Sequence, residues 1–172
     1  MWFTADASRT GNIFIGDIVF LESDGNVERL IAASSEAQRD LIVGVVVGLQ
    51  NADGVEIDTP LSSITLPYLA STQAGKALVD TRPDVYLSFQ ANASLTETGR
   101  GLNYNIAIGT DDTTLGIPAI QLGISTGAVD ATLPFKLERI IEDPSNTYGT
   151  GSTPRVLCSY NKHFKRMNMA GV

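Results

Sequence analysis

Cysteine, histidine and charged side chains are all scarce in this chain of 172 residues. Cys158 is the single cysteine, so an internal disulfide is excluded and the fold does not depend on an oxidising compartment. One cysteine and one histidine also exclude a zinc cluster. Only 18% of the residues are charged, which is below the usual quarter and indicates that partners cover part of the surface.

Long apolar runs and an excess of basic residues are missing as well. The longest strongly apolar stretch, Leu41 to Leu49, is too short to cross a bilayer as a helix, so no membrane partner is expected. The net charge of −7 disfavours nucleic acid as a partner. The N-terminus lacks the basic start and apolar run of a signal peptide. We therefore expect the protein to be made in a reducing cytoplasm and used there or in something assembled there.

The charge is unevenly distributed along the chain. Residues 1–143 carry 19 acidic and 8 basic side chains, whereas residues 144–172 carry four basic side chains and no acidic one. This pattern predicts a basic tail on an acidic body, and such a tail can dock on an acidic neighbour, including another copy of the chain.

Short apolar segments separated by turns dominate the sequence, which contains 16 glycines and 7 prolines. Asp24-Gly25 is typical of a hairpin turn, and Gly44 inside an apolar run indicates a bulge or a close backbone approach. The predicted strands are Ile18–Leu21, Val27–Ala32, Leu41–Val47, Ser63–Ala70, Lys76–Asp80, Val85–Phe89, Pro134–Ile141 and Arg155–Tyr160.

These segments predict an all-β fold, an antiparallel β-barrel or jelly-roll-like single domain with long loops, with a sandwich left open. Ser34 or Ser35 is expected to cap one helical turn. No change in composition along the chain suggests a second domain. We therefore expect residues 1–172 to form a single domain. The terminal segments 1–10 and 162–172 are candidates for extended arms.

One motif matches the sequence pattern around the nucleophilic serine of many hydrolases. Gly123-Ile124-Ser125-Thr126-Gly127 matches G-x-S-x-G, and Asp143 and His163 follow it in triad order. However, Ala128–Thr132 is not an amphipathic helix, and no glycine-rich oxyanion loop precedes the serine. We interpret the motif as a turn between strands.

The other candidate catalytic and metal-binding groups have little support in the sequence. Cys158 and His163 lie five residues apart, an odd offset that places their side chains on opposite faces of one strand. The acidic groups at 53–58 and 111–112 lack the loop pattern of a calcium site. The sequence therefore predicts no enzyme, no cofactor and no metal.

Both ends of the chain combine aromatic or basic side chains in a manner typical of protein interfaces. A terminal Trp-Phe pair needs burial against its own domain or a neighbour, while a solvated, frayed tail is the alternative for the basic end. The candidate interface residues are Trp2, Phe3, Arg155, Lys162, His163, Phe164, Lys165 and Arg166.

Several segments resemble landmarks of the head decoration and cement proteins of tailed bacteriophages. The N-terminal resemblance lies in residues 16–19, 24–27 and 42–45 (GDIV, DGNV and IVGV). The downstream resemblance lies in IGT at 108–110, TLG at 114–116, IQL at 120–122, Ser125-Thr126, LPF at 133–135, DPSN at 143–146, PRV at 154–156 and NKH at 161–163. The segments cover most of the chain, although Leu137–Ile140 is less apolar and the tail after His163 more basic than this family suggests.

The resemblance implies a virion structural protein on the exterior of an icosahedral capsid. Such a protein binds the major capsid protein, clamps neighbouring coat subunits and assembles as a homotrimer. Multivalent contact would give it avidity from individually modest interactions. The alternatives are another head or head–tail accessory protein and, less favoured, a small β-barrel hydrolase or ligand-binding protein.

Overall fold

The computed structural model describes residues 1–57, 66–141, 143–149 and 151–166, with Arg166 described by its backbone alone. The prediction of an all-β fold with an antiparallel barrel is confirmed. The chain forms two compact units, and it passes from one to the other more than once. Unit 1 comprises Met1–Leu30, Leu41–Arg82 and Thr110–Ala119, and unit 2 comprises Ile31–Asp40, Pro83–Gly109 and Ile120–Val172. The expectation of one domain over residues 1–172 did not anticipate this division, because composition does not change at the crossings.

Unit 1 is a five-stranded antiparallel sheet. Its strands are β1 (Trp2–Ala5), β2 (Ile18–Leu21), β3 (Val27–Arg29), β4 (Ile42–Asn51) and β5 (Gly75–Asp80), in the order β1-β5-β4-β2-β3. Gly25, with φ of 88°, closes the predicted β2–β3 hairpin. The two outer strands approach each other, since the Thr4 hydroxyl of β1 donates a hydrogen bond to Asn26 beside β3 at 2.6 Å. Of the predicted strand Ser63–Ala70, residues 63–65 lie outside the described residues, and Leu69 pairs with Ile13 in an isolated bridge.

Unit 2 is a closed five-stranded barrel. Its strands are β6 (Leu87–Ala91), β7 (Asn103–Ile108), β8 (Ile120–Ala128), β9 (Phe135–Ile140) and β10 (Arg155–Tyr160), in the order β10-β6-β8-β7-β9. Only the short β6–β8 contact is parallel among these pairings. The large buried side chains Tyr104, Phe135 and Tyr160 belong to the core of this unit. Helix α1 (Glu36–Asp40) also belongs to it, and the Ser35 hydroxyl accepts a hydrogen bond from the Gln38 amide, as predicted for a cap.

Strand β8 is where the sequence interpretation was wrong. Residues 123–127 were expected to form a turn, and they lie instead in the middle of a nine-residue strand. Glycine and serine have low intrinsic strand preference, so local pattern favoured a turn. Residues 120–123 pair with β7 and in part with the end of β6, and Ala128 pairs with Asn103, so residues 124–127 form an irregular stretch of the strand between two paired parts. This pairing is not local in sequence.

A buried ion triad organises unit 1. The Arg29 guanidinium on β3 lies 2.9 Å from the Asp17 carboxylate and donates two hydrogen bonds, of 2.6 and 2.8 Å, to Asp111. Asp17 also accepts the Phe14 amide at 2.9 Å, and Asp111 accepts the Ala119 amide at 2.8 Å. Since Asp111 belongs to the distant segment 110–119, the triad attaches that excursion to the sheet.

Gly44 lies where β4 passes closest to β5. Its φ of 149° is rarely adopted by residues with a side chain, and a Cβ atom at this position would clash with the Asp80 carbonyl oxygen. The register between β2 and β4 also shifts at this point. The predicted close backbone approach at Gly44 is therefore confirmed.

We expect Gly44→Ala to destabilise unit 1 by about 3 kcal/mol or more, because the substitution combines backbone strain with a clash against main-chain atoms. Urea unfolding followed by the fluorescence of Trp2, the single tryptophan, measures the change. Gly48→Ala in the same strand is the control, since a Cβ there makes ordinary contacts with Leu78. Equal effects of the two substitutions would contradict the assignment.

We expect Arg29→Met to destabilise unit 1 by about 3–5 kcal/mol, because it leaves the buried Asp17 carboxylate without its cation. Arg82→Met is the matched control, since Arg82 is 69% exposed in its ion pair with Asp80 and should change stability by less than about 1 kcal/mol. The same urea titration compares both variants. An Arg29→Met chain as stable as the parent would show that the triad does not support the unit.

Candidate interaction surfaces

The serine of the hydrolase-like motif lies within strand β8. A nucleophile elbow requires a sharp strand-to-helix turn, whereas Ser125 is flanked by extended backbone on both sides. The two glycines of the motif have packing roles. A Cβ at Gly127 would lie 2.5 Å from the Tyr104 ring, and one at Gly123 would lie 3.2 Å from the Asn105 carbonyl oxygen. The motif therefore reflects the close packing of β7 against β8.

Cys158 and His163 are both buried in unit 2. Burial, and to a smaller extent the Glu138 carboxylate, raises the pKa of the Cys158 thiol to about 12, so the reactive thiolate form is suppressed at neutral pH. His163 packs edge-on against Tyr160, with ring centroids 5.0 Å apart, and accepts the Lys165 amide at Nδ1. The geometry gives both side chains a place in the core of the unit.

Two absences apply to the described part of the chain. Within it, no three His, Cys, Asp or Glu side chains lie close enough together to hold a metal ion. No helix formed by those residues has the length and apolar character needed to cross a membrane.

A shallow groove in unit 1 is lined by Trp2, Ile15, Val47, Ile57, Leu78 and one acid, Glu56. We call it the Trp2 groove, and its volume is about 230 Å³. The register of the sheet explains why these residues are neighbours in the groove. Trp2 of β1 pairs with Leu78 of β5, and Leu78 pairs with Gly48 of β4. Phe3, the other predicted residue at this end, is half-buried.

A β-bulge adds Val47 to the groove. Val46 pairs with Val79 and Gly48 pairs with Leu78, so Val47 is an extra residue in β4. A bulge can redirect a side chain, and Val47 is 51% exposed although it lies in the middle of the most apolar strand. The apolar run at 41–49 predicted the strand but gave no sign of this outward-facing valine.

Unit 1 also concentrates the net charge. By sequence it carries eleven acidic and four basic side chains, whereas unit 2 carries eight of each. Among the described residues, seven of the nine exposed large apolar side chains belong to unit 1. An acidic surface interspersed with exposed apolar side chains is suited to partners that are basic and partly apolar.

The basic end of the chain is attached to unit 2 as far as Phe164. Lys162 forms an ion pair with Asp40 at 2.6 Å, and the Asn161 side chain donates to the Leu133 carbonyl at 2.7 Å. Phe164 packs against His163 with ring centroids 5.1 Å apart. Of the predicted interface residues here, Lys162 and His163 thus have partners within their own unit. Lys165 and Arg155 are exposed, and the Lys165 ammonium lies over the Phe164 ring, 5.7 Å from its centroid. The Arg166 side chain lies outside the described residues.

A row of aromatic rings supports this attachment. Phe89, Phe135, Tyr160, His163 and Phe164 contact one another in sequence, with centroid distances between 5.0 and 5.8 Å. The row extends from the core of unit 2 to the last described residues of the chain. The row therefore attaches the chain to the core of unit 2 as far as Phe164.

A second surface on unit 2 was missed by sequence reasoning. Tyr86, Arg100, Glu138, Arg139 and Leu157 line a shallow cavity of about 350 Å³, which we call the Tyr86 patch. Tyr86 is 66% exposed, and Arg139 and Leu157 are directly opposite each other on β9 and β10. Tyrosine and arginine are enriched among residues that dominate binding energy. The patch is assembled from four separate segments, so no local signal in the sequence could reveal it.

Two glutamates of unit 1 share a hydrogen bond. Burial raises the pKa of Glu22 to about 7, and its hydrogen bond and charge repulsion with Glu28 act in the same direction. Glu28 in turn accepts the Thr10 amide at 2.7 Å. Burial also raises the pKa of Asp17 to about 7, against the opposing effect of Arg29. Near neutral pH, unit 1 therefore contains carboxyl groups that are still partly protonated.

Comparison of the chain with protein-family models, with curated proteins and with solved structures finds no match.

Unit 1 should lose stability as the pH rises from 4.5 to about 7, the interval between the ordinary and the folded pKa of Glu22. In that interval the folded chain holds a proton that the unfolded chain has released, so the stabilisation is complete at low pH and is lost as the pH rises. We expect Glu22→Gln to remove about 1 kcal/mol of this decline, allowing for partial exposure, while the contribution of Asp17 persists.

Urea titrations at several pH values, followed by Trp2 fluorescence, measure the decline. Asp80→Asn on strand β5 is the control, because the hydrogen bond from the Arg82 side chain lowers the pKa of Asp80. It should leave the decline between pH 4.5 and 7 in place. Parallel pH profiles for Glu22→Gln and the parent chain would contradict the shared-proton interpretation.

Proposed function

We propose that this chain is a virion structural protein of the capsid cement type, which binds the outer surface of an icosahedral phage head and clamps neighbouring subunits of the major capsid protein. The observation that carries the proposal is the distribution of surface properties over two β units. Unit 1 carries the whole net negative charge and most of the exposed apolar side chains, and unit 2 presents the Tyr86 patch. Two separate adhesive surfaces suit a protein that bridges neighbours.

The sequence resemblance to tailed-phage decoration proteins favours this function over other binding roles. It also favours a homotrimer, in which each modest contact is used three times. Compact β units with buried aromatic cores suit a protein whose task is to remain rigid under load. The proposed location is the capsid exterior, after assembly in the host cytoplasm, and the proposal involves no cofactor and no catalytic residue.

A different head or head–tail accessory protein is the alternative. The discriminating measurement is copy number in the particle, because a cement protein covers the shell in hundreds of copies, whereas an accessory ring contains about a dozen or fewer. Quantitative gel densitometry of purified particles against the major capsid protein separates the two.

The test of the proposal is the addition of the purified protein to shells assembled from the cognate coat protein. We expect it to co-sediment with shells but not with free coat subunits, and to raise the temperature at which shells release their contents. Tyr86→Ala should weaken shell binding by about tenfold, as truncation of an interface anchor does. Val129→Ala is the matched control, since Val129 is 95% exposed on the same unit outside the patch.

Shells with unchanged heat resistance after saturation with the protein would overturn the proposal. Ser125→Ala tests the hydrolase alternative in the same experiment and should behave like the parent chain. An esterase activity that Ser125→Ala abolishes would favour that alternative instead.

A further inference from the structure

The basic end of the chain and the Trp2 groove have complementary chemistry. The sequence from 162 to 169, KHFKRMNM, combines cations with a phenylalanine and two methionines. The groove is lined by several apolar side chains and a single acid, Glu56, and its lining includes no base. It belongs to the unit that holds the whole net negative charge. A segment in which two adjacent cations are followed by apolar side chains is chemically complementary to such a groove.

The length of chain outside the described residues is suited to this role. Residues 167–172 begin where the aromatic row of unit 2 ends, and six residues reach at most about 20 Å when extended. Met167 and Met169 are unbranched and adapt to irregular apolar surfaces. Lys165, which is exposed, and Arg166 would lie on the acidic side of the contact.

We propose that residues 165–172 of one copy bind the Trp2 groove of a second copy. The contact joins two different surfaces, so it is heterologous, and three copies can close it into a ring. The proposal rests on the self-association part of the proposed function and is independent of the contact with the shell. In this contact the two predicted interface ends of the chain bind each other. Trp2 belongs to one copy, and Lys165 and Arg166 belong to the other.

The first measurement uses a chain that ends at Arg166 and a synthetic peptide of residues 162–172. Because Trp2 is the only tryptophan and is 40% exposed in the groove, peptide binding should shift its emission to shorter wavelength. The shift should saturate, and the apparent affinity should fall as salt is added. A control peptide with serine in place of Met167 and Met169 should bind at least about tenfold more weakly.

The second measurement follows the mass of the full chain by sedimentation equilibrium over about two decades of concentration. We expect association in the full chain and its loss in the truncated chain and in Val47→Lys, which places a positive charge where the basic segment would bind. Val129→Lys makes the same change on an exposed valine of unit 2 and should leave association intact. Comparable thermal stability of the two lysine variants excludes unfolding as the cause.

Three outcomes would overturn the inference. The first is the absence of any emission shift with the peptide. The second is a full chain that stays monomeric while its Trp2 emission already matches the peptide-bound state, because the groove is then occupied within one chain. The third is association that survives both truncation and Val47→Lys. If truncated chains still protect shells from heat, the cement function stands and only this self-contact fails.

Discussion

Unit 1 depends on the buried ion triad of Arg29, Asp17 and Asp111. An arginine on the short strand β3 holds two carboxylates, one before β2 and one on the excursion 110–119, and all three lie largely out of solvent. Burying a charged side chain costs free energy unless its partners are present. The sheet is therefore stable only when the segment 110–119 places Asp111 beside Arg29. The Trp2 groove, formed by β1, β4 and β5 of the same sheet, presupposes that this arrangement is intact.

Carboxyl groups give unit 1 both its surface character and its sensitivity to pH. Glu22 and Glu28 share a hydrogen bond beside the β2–β3 hairpin, and the pKa of Glu22 is raised to about 7 by burial and by its neighbour. The same unit exposes apolar side chains, and Glu56 lines the groove that contains Trp2 and Val47. A surface of this kind selects partners that bring positive charge together with apolar contact.

The barrel of unit 2 holds the basic end of the chain in position as far as Phe164. The aromatic row from Phe89 to Phe164 connects the core to the last described residues, and Lys162 is paired with Asp40. The glycines of the hydrolase-like motif are explained by this packing, since Gly127 leaves room for the Tyr104 ring. The packing of these rings therefore holds the chain in place as far as Phe164.

The sequence by itself determined the all-β class, the Asp24-Gly25 hairpin, the close approach at Gly44, strands β9 and β10, and the contrast between an acidic body and a basic end. These features follow from local chemistry, namely side-chain alternation, turn residues and charge counts. Only the tertiary structure decided the division into two units, the strand at Ser125, the outward-facing Val47 and the Tyr86 patch. Each of these depends on pairing between segments far apart in the chain, and a pattern that is read locally carries no information about which distant strand completes it.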